Sequence, residues 1–145
     1  MKKSLNTVLV TLLIAALICV RFWQGQLFYD PLLLFFEGVY LSSEKLPELN
    51  FGRLLINTSG RFWLNSVLSL SILFLLFRKR GIVKISLLVY LAAFLTLLIS
   101  FALVVLNYTS EYSLLLFYIR RFLIQPILLL ILVPAFYYDR IRSEK

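Results

Sequence analysis

The sequence predicts an all-α membrane protein of about four transmembrane helices, in a single domain over residues 1–145. Of its 145 residues 61% are hydrophobic, and the mean hydropathy is +0.93. A soluble domain averages roughly 45–50% apolar residues, and a domain of this size could not hide such an excess from water. The net charge of +8 comes largely from short clusters at the ends of apolar runs, which is typical of a topology signal. We therefore expect the phospholipid bilayer to surround most of the chain, and no nucleic acid as a partner.

The first apolar run is predicted to be an uncleaved signal anchor over about residues 5–22. It follows Lys2–Lys3 as a signal peptide would, but no A-x-A cleavage pattern follows it, and the chain continues into Arg21–Phe22–Trp23. Such a charged and aromatic boundary is typical of a membrane interface. Small residues recur at every fourth position of this run, and we expect them to pack against other helices of the bundle: they are Thr7, Thr11, Ala15 and Cys19.

Residues 23–61 form the one long polar stretch and are predicted to lie outside the membrane. Within it, 31–41 is predicted to be a short helix in the interface, because Asp30 can cap a helix and Pro31 can open one. Its apolar run is too short to cross a hydrocarbon core of about 30 Å. Ser42–Asn50 is expected to be a loop.

Three further spans are predicted at about 62–77, 85–106 and 114–138. The last is interrupted by Arg120–Arg121 and contains Pro126, so its clean spanning part is Phe122–Tyr138. In the span at 85–106, small and polar residues fall on one face and are expected to pack between helices. They are Ser86, Tyr90, Ala93, Thr96, Ser100 and Asn107.

Positive residues predict the orientation. Nine of them lie on three flanks that alternation of the spans assigns to one side: Lys2, Lys3, Arg78, Lys79, Arg80, Lys84, Arg140, Arg142 and Lys145. Because positively charged flanks stay in the cytoplasm, we expect both termini there, residues 23–61 on the other side, and the chain in a bacterial inner membrane.

A row of polar residues marks the second predicted span. Asn57, Arg61, Asn65 and Ser69 are each four residues apart, so a continuous helix places them on one face. An unpaired amide costs several kcal/mol in lipid, so we expect this face to be buried against protein over a continuous helix from 57 to 77. Two alternatives follow, an ordinary interhelical hydrogen bond or a polar groove for a ligand or partner.

Arg120 and Arg121 are the strongest functional signal, because an arginine near the bilayer centre costs about 2.5–3.5 kcal/mol on insertion scales. They could snorkel to the interface, pair with acids of the 23–61 stretch, or hold a carboxylate or phosphate of a partner. Gln125 lies four residues beyond Arg121, and Pro126 frees a carbonyl near position 122. Together they predict a polar notch. The candidate residues for partner or anion binding are Arg120, Arg121, Gln125, Asn57, Arg61 and Asn65.

Nothing in the sequence indicates catalysis, a metal site or a cofactor. There is no histidine, the only cysteine is Cys19 in the anchor, and every acid lies outside the clean spans. The usual catalytic base, the commonest metal ligand and an intramembrane carboxylate pair are therefore missing.

The chain resembles the exosortase F system-associated membrane proteins. The residues that carry the resemblance are Asp30–Pro31, Leu46–Pro47–Glu48–Leu49, Asn57 with Arg61 and Leu64–Asn65–Ser66, and above all Arg120–Arg121–Phe122–Leu123–Ile124–Gln125–Pro126 followed by Pro134–Ala135–Phe136–Tyr137–Tyr138. The resemblance implies association with an exosortase-type membrane enzyme, whose own Cys, Arg and His set this chain lacks. It implies no functional residue.

Two functions from different classes are expected from these observations. The first is a non-catalytic accessory protein that binds or stabilises an exosortase-type enzyme or its substrates. The second is a small membrane carrier or lipid-binding protein that uses the arginine-lined notch for anionic headgroups. An intramembrane enzyme of unknown chemistry is the third alternative.

Overall fold

The computed structural model describes residues 2–144, with the side chain of Lys2 left out, and these residues form seven α-helices and no strand. The helices are α1 (Lys2–Phe22), α2 (Gln24–Leu27), α3 (Leu32–Glu37), α4 (Phe51–Phe77), α5 (Arg80–Leu106), α6 (Ser113–Ile124) and α7 (Ile127–Ser143). Three of them, α1, α4 and α5, are long and apolar enough to cross a membrane, and the bent pair α6–α7 brings the number to four if it counts as one span. The predicted all-α membrane class is confirmed in this form.

α4 contains the second predicted span but is longer than predicted. It starts at Phe51, eleven residues before the predicted span at 62 and six before the predicted helix at 57, and the Asn50 side chain caps it by accepting a hydrogen bond from the Arg53 N–H at 3.0 Å. Its polar first half resembles a loop in sequence, but Thr58 and Arg61 are 7% and 1% exposed. Protein therefore surrounds these polar side chains, and the helix reaches about 40 Å at 1.5 Å per residue.

α5, which contains the third predicted span, also begins before it, at Arg80 rather than at 85. Arg78 ends α4 in the left-handed conformation (φ 53°), and its N–H donates to the Phe74 carbonyl at 2.8 Å. This common way of ending a helix leaves a turn of only two residues, Arg78 and Lys79, before α5.

The predicted last span, 114–138, is two helices that meet at 63°. α6 ends at Ile124, and α7 begins after Pro126, which has no N–H to continue the helical ladder. The Ile127 N–H donates to the Gln125 carbonyl at 2.8 Å and closes the turn. The expectation of a clean span over Phe122–Tyr138 is therefore wrong.

The connection between α1 and α4, residues 23–50, packs against the bundle. The predicted helix at 31–41 is shorter, with α3 followed by a 3₁₀ turn at Tyr40–Ser42. Leu32 is fully buried while Leu34 is 75% exposed, so α3 inserts one face into the core. Phe36 and Tyr40 contact the Phe117 ring of α6 with centroids 5.4 and 5.6 Å apart.

The small-residue stripe of α1 does not pack as predicted. Thr7, Thr11, Ala15 and Cys19 are all exposed, and the two threonine hydroxyls donate to carbonyls of their own helix. The opposite face, centred on Leu17, packs against α4. Small side chains bury little apolar surface, so the larger residues set the packing face here.

The α5 stripe is partly packed. Ser86 and Tyr90 are buried, Ala93 and Ser100 are half-buried, and Thr96 and Asn107 are exposed. The expectation for this stripe therefore holds fully only for Ser86 and Tyr90, in the second and third turns of α5.

α4 is the central helix, because α1, α5, α6 and α7 all contact it. One apolar cluster surrounds its first half and includes Phe62, Phe101 and Leu116, and a second surrounds its last turns and includes Leu73 and Leu129. The polar row of α4 begins within the first cluster and ends at Ser69, next to the second.

Candidate binding site

Asp30 is the centre of a buried ion-pair cluster. Its Oδ2 accepts a hydrogen bond from Nη2 of Arg120 on α6, and Nη1 of Arg61 on α4 lies 3.6 Å from the same oxygen. The side chains of Arg61, Arg120 and Asp30 are only 2%, 8% and 10% exposed. The carboxylate therefore connects two helices to the α1–α4 connection instead of capping α3 as predicted.

Gln24 and two aromatic rings complete this arrangement. The Arg61 Nη2 donates to Gln24 Oε1 of α2. Arg61 also lies over the Phe28 ring at 5.6 Å, and Arg120 lies over Phe36 at 5.5 Å, which are favourable cation–π distances. We call Gln24, Asp30, Arg61 and Arg120 the Asp30 cluster.

The Asp30 cluster carries two guanidiniums and one carboxylate, a net charge of +1. Asp30 Oδ1 and Arg61 Nε are buried and have no hydrogen-bond partner among the described residues. Burial of charges is costly and is offset only by close pairing. The cluster is therefore sensitive to the loss of its single acid.

The polar row of α4 is packed against protein, as the continuous-helix prediction expects. Asn57 Oδ1 accepts from the Tyr29 N–H at 3.1 Å, and Asn65 Nδ2 donates to the Ile124 carbonyl at 3.0 Å. Arg61, Asn65 and Ser69 are 1%, 6% and 0% exposed. For Asn65 the interhelical hydrogen bond is present, and the carbonyl that accepts it is freed by the helix break before Pro126.

Two tyrosines hold the rest of the connection. The Tyr29 hydroxyl accepts from the Asn50 N–H at 3.0 Å, and the Arg53 guanidinium lies 4.6 Å from the Tyr29 ring centroid. Tyr108, in the turn after α5, donates its hydroxyl to the Ser43 carbonyl at 3.3 Å. Burial raises the pKa of the Tyr108 hydroxyl further above neutral pH.

The two neighbouring arginines of α6 have different environments. Arg120 is buried in the Asp30 cluster, so it pairs with an acid of the connection, as one of the alternatives expects. Arg121 is exposed, and its Nε donates to Gln125 Oε1 at 3.1 Å. Among residues 2–144 its guanidinium has no carboxylate partner within 4.0 Å.

The predicted notch exists as a pocket of about 250 Å³ and holds more arginines than expected. Its polar lining includes Arg120, Arg121 and Gln125 together with Arg21 and Gln24 from the end of α1 and the start of α2, and one acid, Glu37. We call it the arginine pocket. Asn57 does not reach it and lines a separate pocket of about 440 Å³ with Asp30 and Arg53.

An apolar groove adjoins the arginine pocket. α1 and α7 both pack against α4, and the space between them has a volume of about 720 Å³. Its walls are aliphatic except at one end, where Arg21, Asn65 and Gln125 line it. We call this space the α1–α7 groove. It shares Arg21, Ile124 and Gln125 with the arginine pocket, so the two lie side by side.

Sequence reasoning missed Asp30, Gln24 and Arg21 as members of the site. Asp30 reads as a helix cap because Pro31 follows it, while its partner Arg120 lies ninety positions further along the chain. The only sequence signal was indirect, in that two arginines predicted to lie in the membrane call for an acid.

The described residues offer no metal site, since no three His, Cys, Asp or Glu side chains among residues 2–144 lie close enough to hold an ion. Cys19 is exposed on α1.

Comparison with known proteins identifies no family. No family model matches the chain, and neither a curated protein nor a solved structure is significantly similar to it. The resemblance to exosortase F system-associated proteins therefore stays a prediction from the residues.

Proposed function

We propose that this chain is a non-catalytic accessory protein of an exosortase-type processing system in the bacterial inner membrane, where it binds or stabilises the enzyme or its substrates. The observation that supports a binding role is the use of its intramembrane arginines. Arg61 and Arg120 hold the α1–α4 connection in place through Asp30. A connection that is held against the bundle in this way suits a scaffold better than a reaction centre.

The outward-facing stripe of α1 is the surface that we propose for the partner. Small residues let helices approach closely in lipid, where hydrophobicity gives little drive for association. Thr7, Thr11, Ala15 and Cys19 are exposed, so a transmembrane helix of another protein can pack there.

Purification of the tagged chain in mild detergent, followed by mass spectrometry, tests this proposal. We expect a polytopic exosortase-type enzyme in stoichiometric amount. Ala15→Leu should reduce its recovery about tenfold at unchanged level of the chain, because the larger side chain prevents close helix contact. Ala92→Leu, at an exposed alanine of α5, is the matched control and should leave recovery unchanged. Absence of the enzyme, or equal recovery with both variants, would contradict the proposal.

We also propose four spans, with the bent pair α6–α7 crossing once and both termini in the cytoplasm. Support comes from the rings of Phe77 and Phe136, whose centroids are 6.0 Å apart. This contact brings the basic flank at 78–80 to the same end of the bundle as Arg140. Lys145, which belongs to the third flank, lies outside the described residues.

Reporter fusions after Lys145 and within Arg78–Gly81 should report the cytoplasm, and a fusion near Lys45 should report the opposite side, because positive flanks are retained. A C-terminus outside the cytoplasm would mean that α6–α7 enters and leaves on one side, and would remove the fourth span.

The second candidate function is lipid binding, and the α1–α7 groove favours it. A cavity of about 720 Å³ falls within the usual size of small-molecule sites, about 300–1,000 Å³. Its aliphatic walls and polar end match the two chemical parts of a lipid.

A further inference from the structure

We propose that the α1–α7 groove binds one hydrocarbon tail of an anionic phospholipid, with the lipid phosphate held in the arginine pocket by Arg21 and Arg121. This proposal rests on the second candidate function and gives it a ligand class and two recognition residues. It is independent of the proposed partner surface on the α1 stripe.

Charge is the first support. The arginine pocket and the Asp30 cluster together hold Arg21, Arg61, Arg120 and Arg121 against Asp30 and Glu37, an excess of two positive charges. One of these charges belongs to the Asp30 cluster, where a single carboxylate faces two buried arginines. The other belongs to the exposed Arg21 and Arg121, which Glu37 offsets only in part, and Arg21 also lines the groove.

The hydrogen bonds of Arg21 and Arg121 leave donors free. Arg21 Nη1 donates to Gln24 Oε1 at 3.3 Å and Arg121 Nε donates to Gln125 Oε1 at 3.1 Å. Both acceptors are neutral amides, and a guanidinium has five N–H donors in a planar fork that fits phosphate. The glutamines thus orient the arginines without neutralising them.

The length and lining of the groove are the second support. Its lining on α1 extends from Val10 to Arg21, or about 16 Å at 1.5 Å per residue. Its walls are aliphatic along this length, and Arg21 lies at the end that adjoins the arginine pocket. A hydrocarbon chain with an anionic head complements both parts, whereas an apolar helix of another protein would leave the guanidinium without a partner.

Native mass spectrometry of the delipidated full-length chain in detergent tests the proposal, with dioleoyl phosphatidylglycerol as the anionic probe and dioleoyl phosphatidylcholine as the zwitterionic one. We expect one phosphatidylglycerol per chain, bound at least about fivefold more tightly than phosphatidylcholine. Arg121→Gln and Arg21→Gln should each weaken phosphatidylglycerol about tenfold, as loss of a charge-assisted contact does. Arg142→Gln, an exposed arginine at the other end of the bundle, is the control and should have no effect.

A second pair of variants tests the tail site. Leu130 lines the groove and is 72% exposed, so Leu130→Trp should fill the groove without unfolding the chain. It should weaken both phospholipids about tenfold. Leu88→Trp, at a 69% exposed position of α5 outside the groove, should weaken neither.

Several outcomes would overturn the proposal. Equal binding of the two phospholipids with unchanged affinity in both arginine variants would exclude headgroup recognition. Displacement of phosphatidylglycerol by millimolar inorganic phosphate would show that the pocket binds a soluble anion and that the groove contributes nothing. Loss of a co-purifying membrane protein, rather than of lipid, in Leu130→Trp would assign the groove to a protein partner. The Ala15→Leu experiment has its own readout, so the accessory role can fail or hold independently.

Discussion

Asp30→Asn should lower the free energy of unfolding by about 3–5 kcal/mol, the usual effect of removing one partner from a buried ion pair. The substitution keeps the size of the side chain and one carbonyl oxygen, so it removes only the charge. Arg61 and Arg120 would then be buried side by side without an acid. Urea or thermal unfolding in detergent, followed by the fluorescence of Trp63, which packs against Phe94 at 5.3 Å, would measure the loss.

Glu37→Gln is the matched control for Asp30→Asn. Glu37 is exposed, lies in the same connection, and has no ion pair among the described residues, so its neutralisation should change stability by no more than about 0.5 kcal/mol. If Asp30→Asn proves too unstable to purify, the double variant with Arg120→Gln should recover about 1 kcal/mol or more, because one unpaired charge is removed. Equal stability of Asp30→Asn and Glu37→Gln would contradict the conclusion that Asp30 holds the α1–α4 connection against α4 and α6.

The sequence allowed the helical class and much of the α4 face to be predicted because these depend on local patterns. Residues spaced by four share a helix face whatever surrounds the helix, so the burial of Arg61 and Asn65 could be predicted from Asn57 to Ser69 alone. The start of α4 at Phe51 could not be predicted in this way. The hydropathy pattern places the residues before 62 outside the membrane, because it contains no information on the distant groups, Tyr29 and Asp30, that bind Asn57 and Arg61.

The partners of Arg120 and the packing face of α1 depend on tertiary structure in the same way. Asp30 is a valid helix cap by its local sequence, and only the folded chain brings its carboxylate to α6. The α1 stripe has a spacing suited to close packing, but spacing does not say which neighbour it meets. In the structure α4 contacts the larger residues around Leu17 instead. Residues at the 63° bend near Pro126 line the groove, and no local pattern specifies the size of that bend.

Arg120 and Arg121 should respond to the same substitution to very different extents, although they are adjacent. Arg120→Gln should lower the free energy of unfolding by about 1.5–3 kcal/mol, the usual contribution of a hydrogen bond to a charged group. The effect should be smaller than that of Asp30→Asn, because Arg61 and Asp30 remain as a neutral pair 3.6 Å apart. Arg120→Lys should lie between Arg120→Gln and the unmodified chain, since an ammonium can reach Asp30 but cannot stack on Phe36 as a planar guanidinium does.

Arg121→Gln should change the free energy of unfolding by no more than about 0.5 kcal/mol, because the side chain is exposed and its hydrogen bond to Gln125 is at the surface. The same unfolding measurement in detergent compares the two positions directly, with Arg142→Gln as the exposed control. Equal losses at 120 and 121 would mean that both arginines stabilise the fold, and Arg121 would then no longer be available as a recognition residue. A loss at 121 alone would contradict the assignment of the buried ion pair to Arg120. If Arg120→Gln loses more stability than Arg121→Gln, as expected, Arg120 stabilises the fold and Arg121 remains free to bind the ligand. Two neighbouring residues on one turn of α6 then have separate roles, one in the scaffold and one in the proposed lipid site.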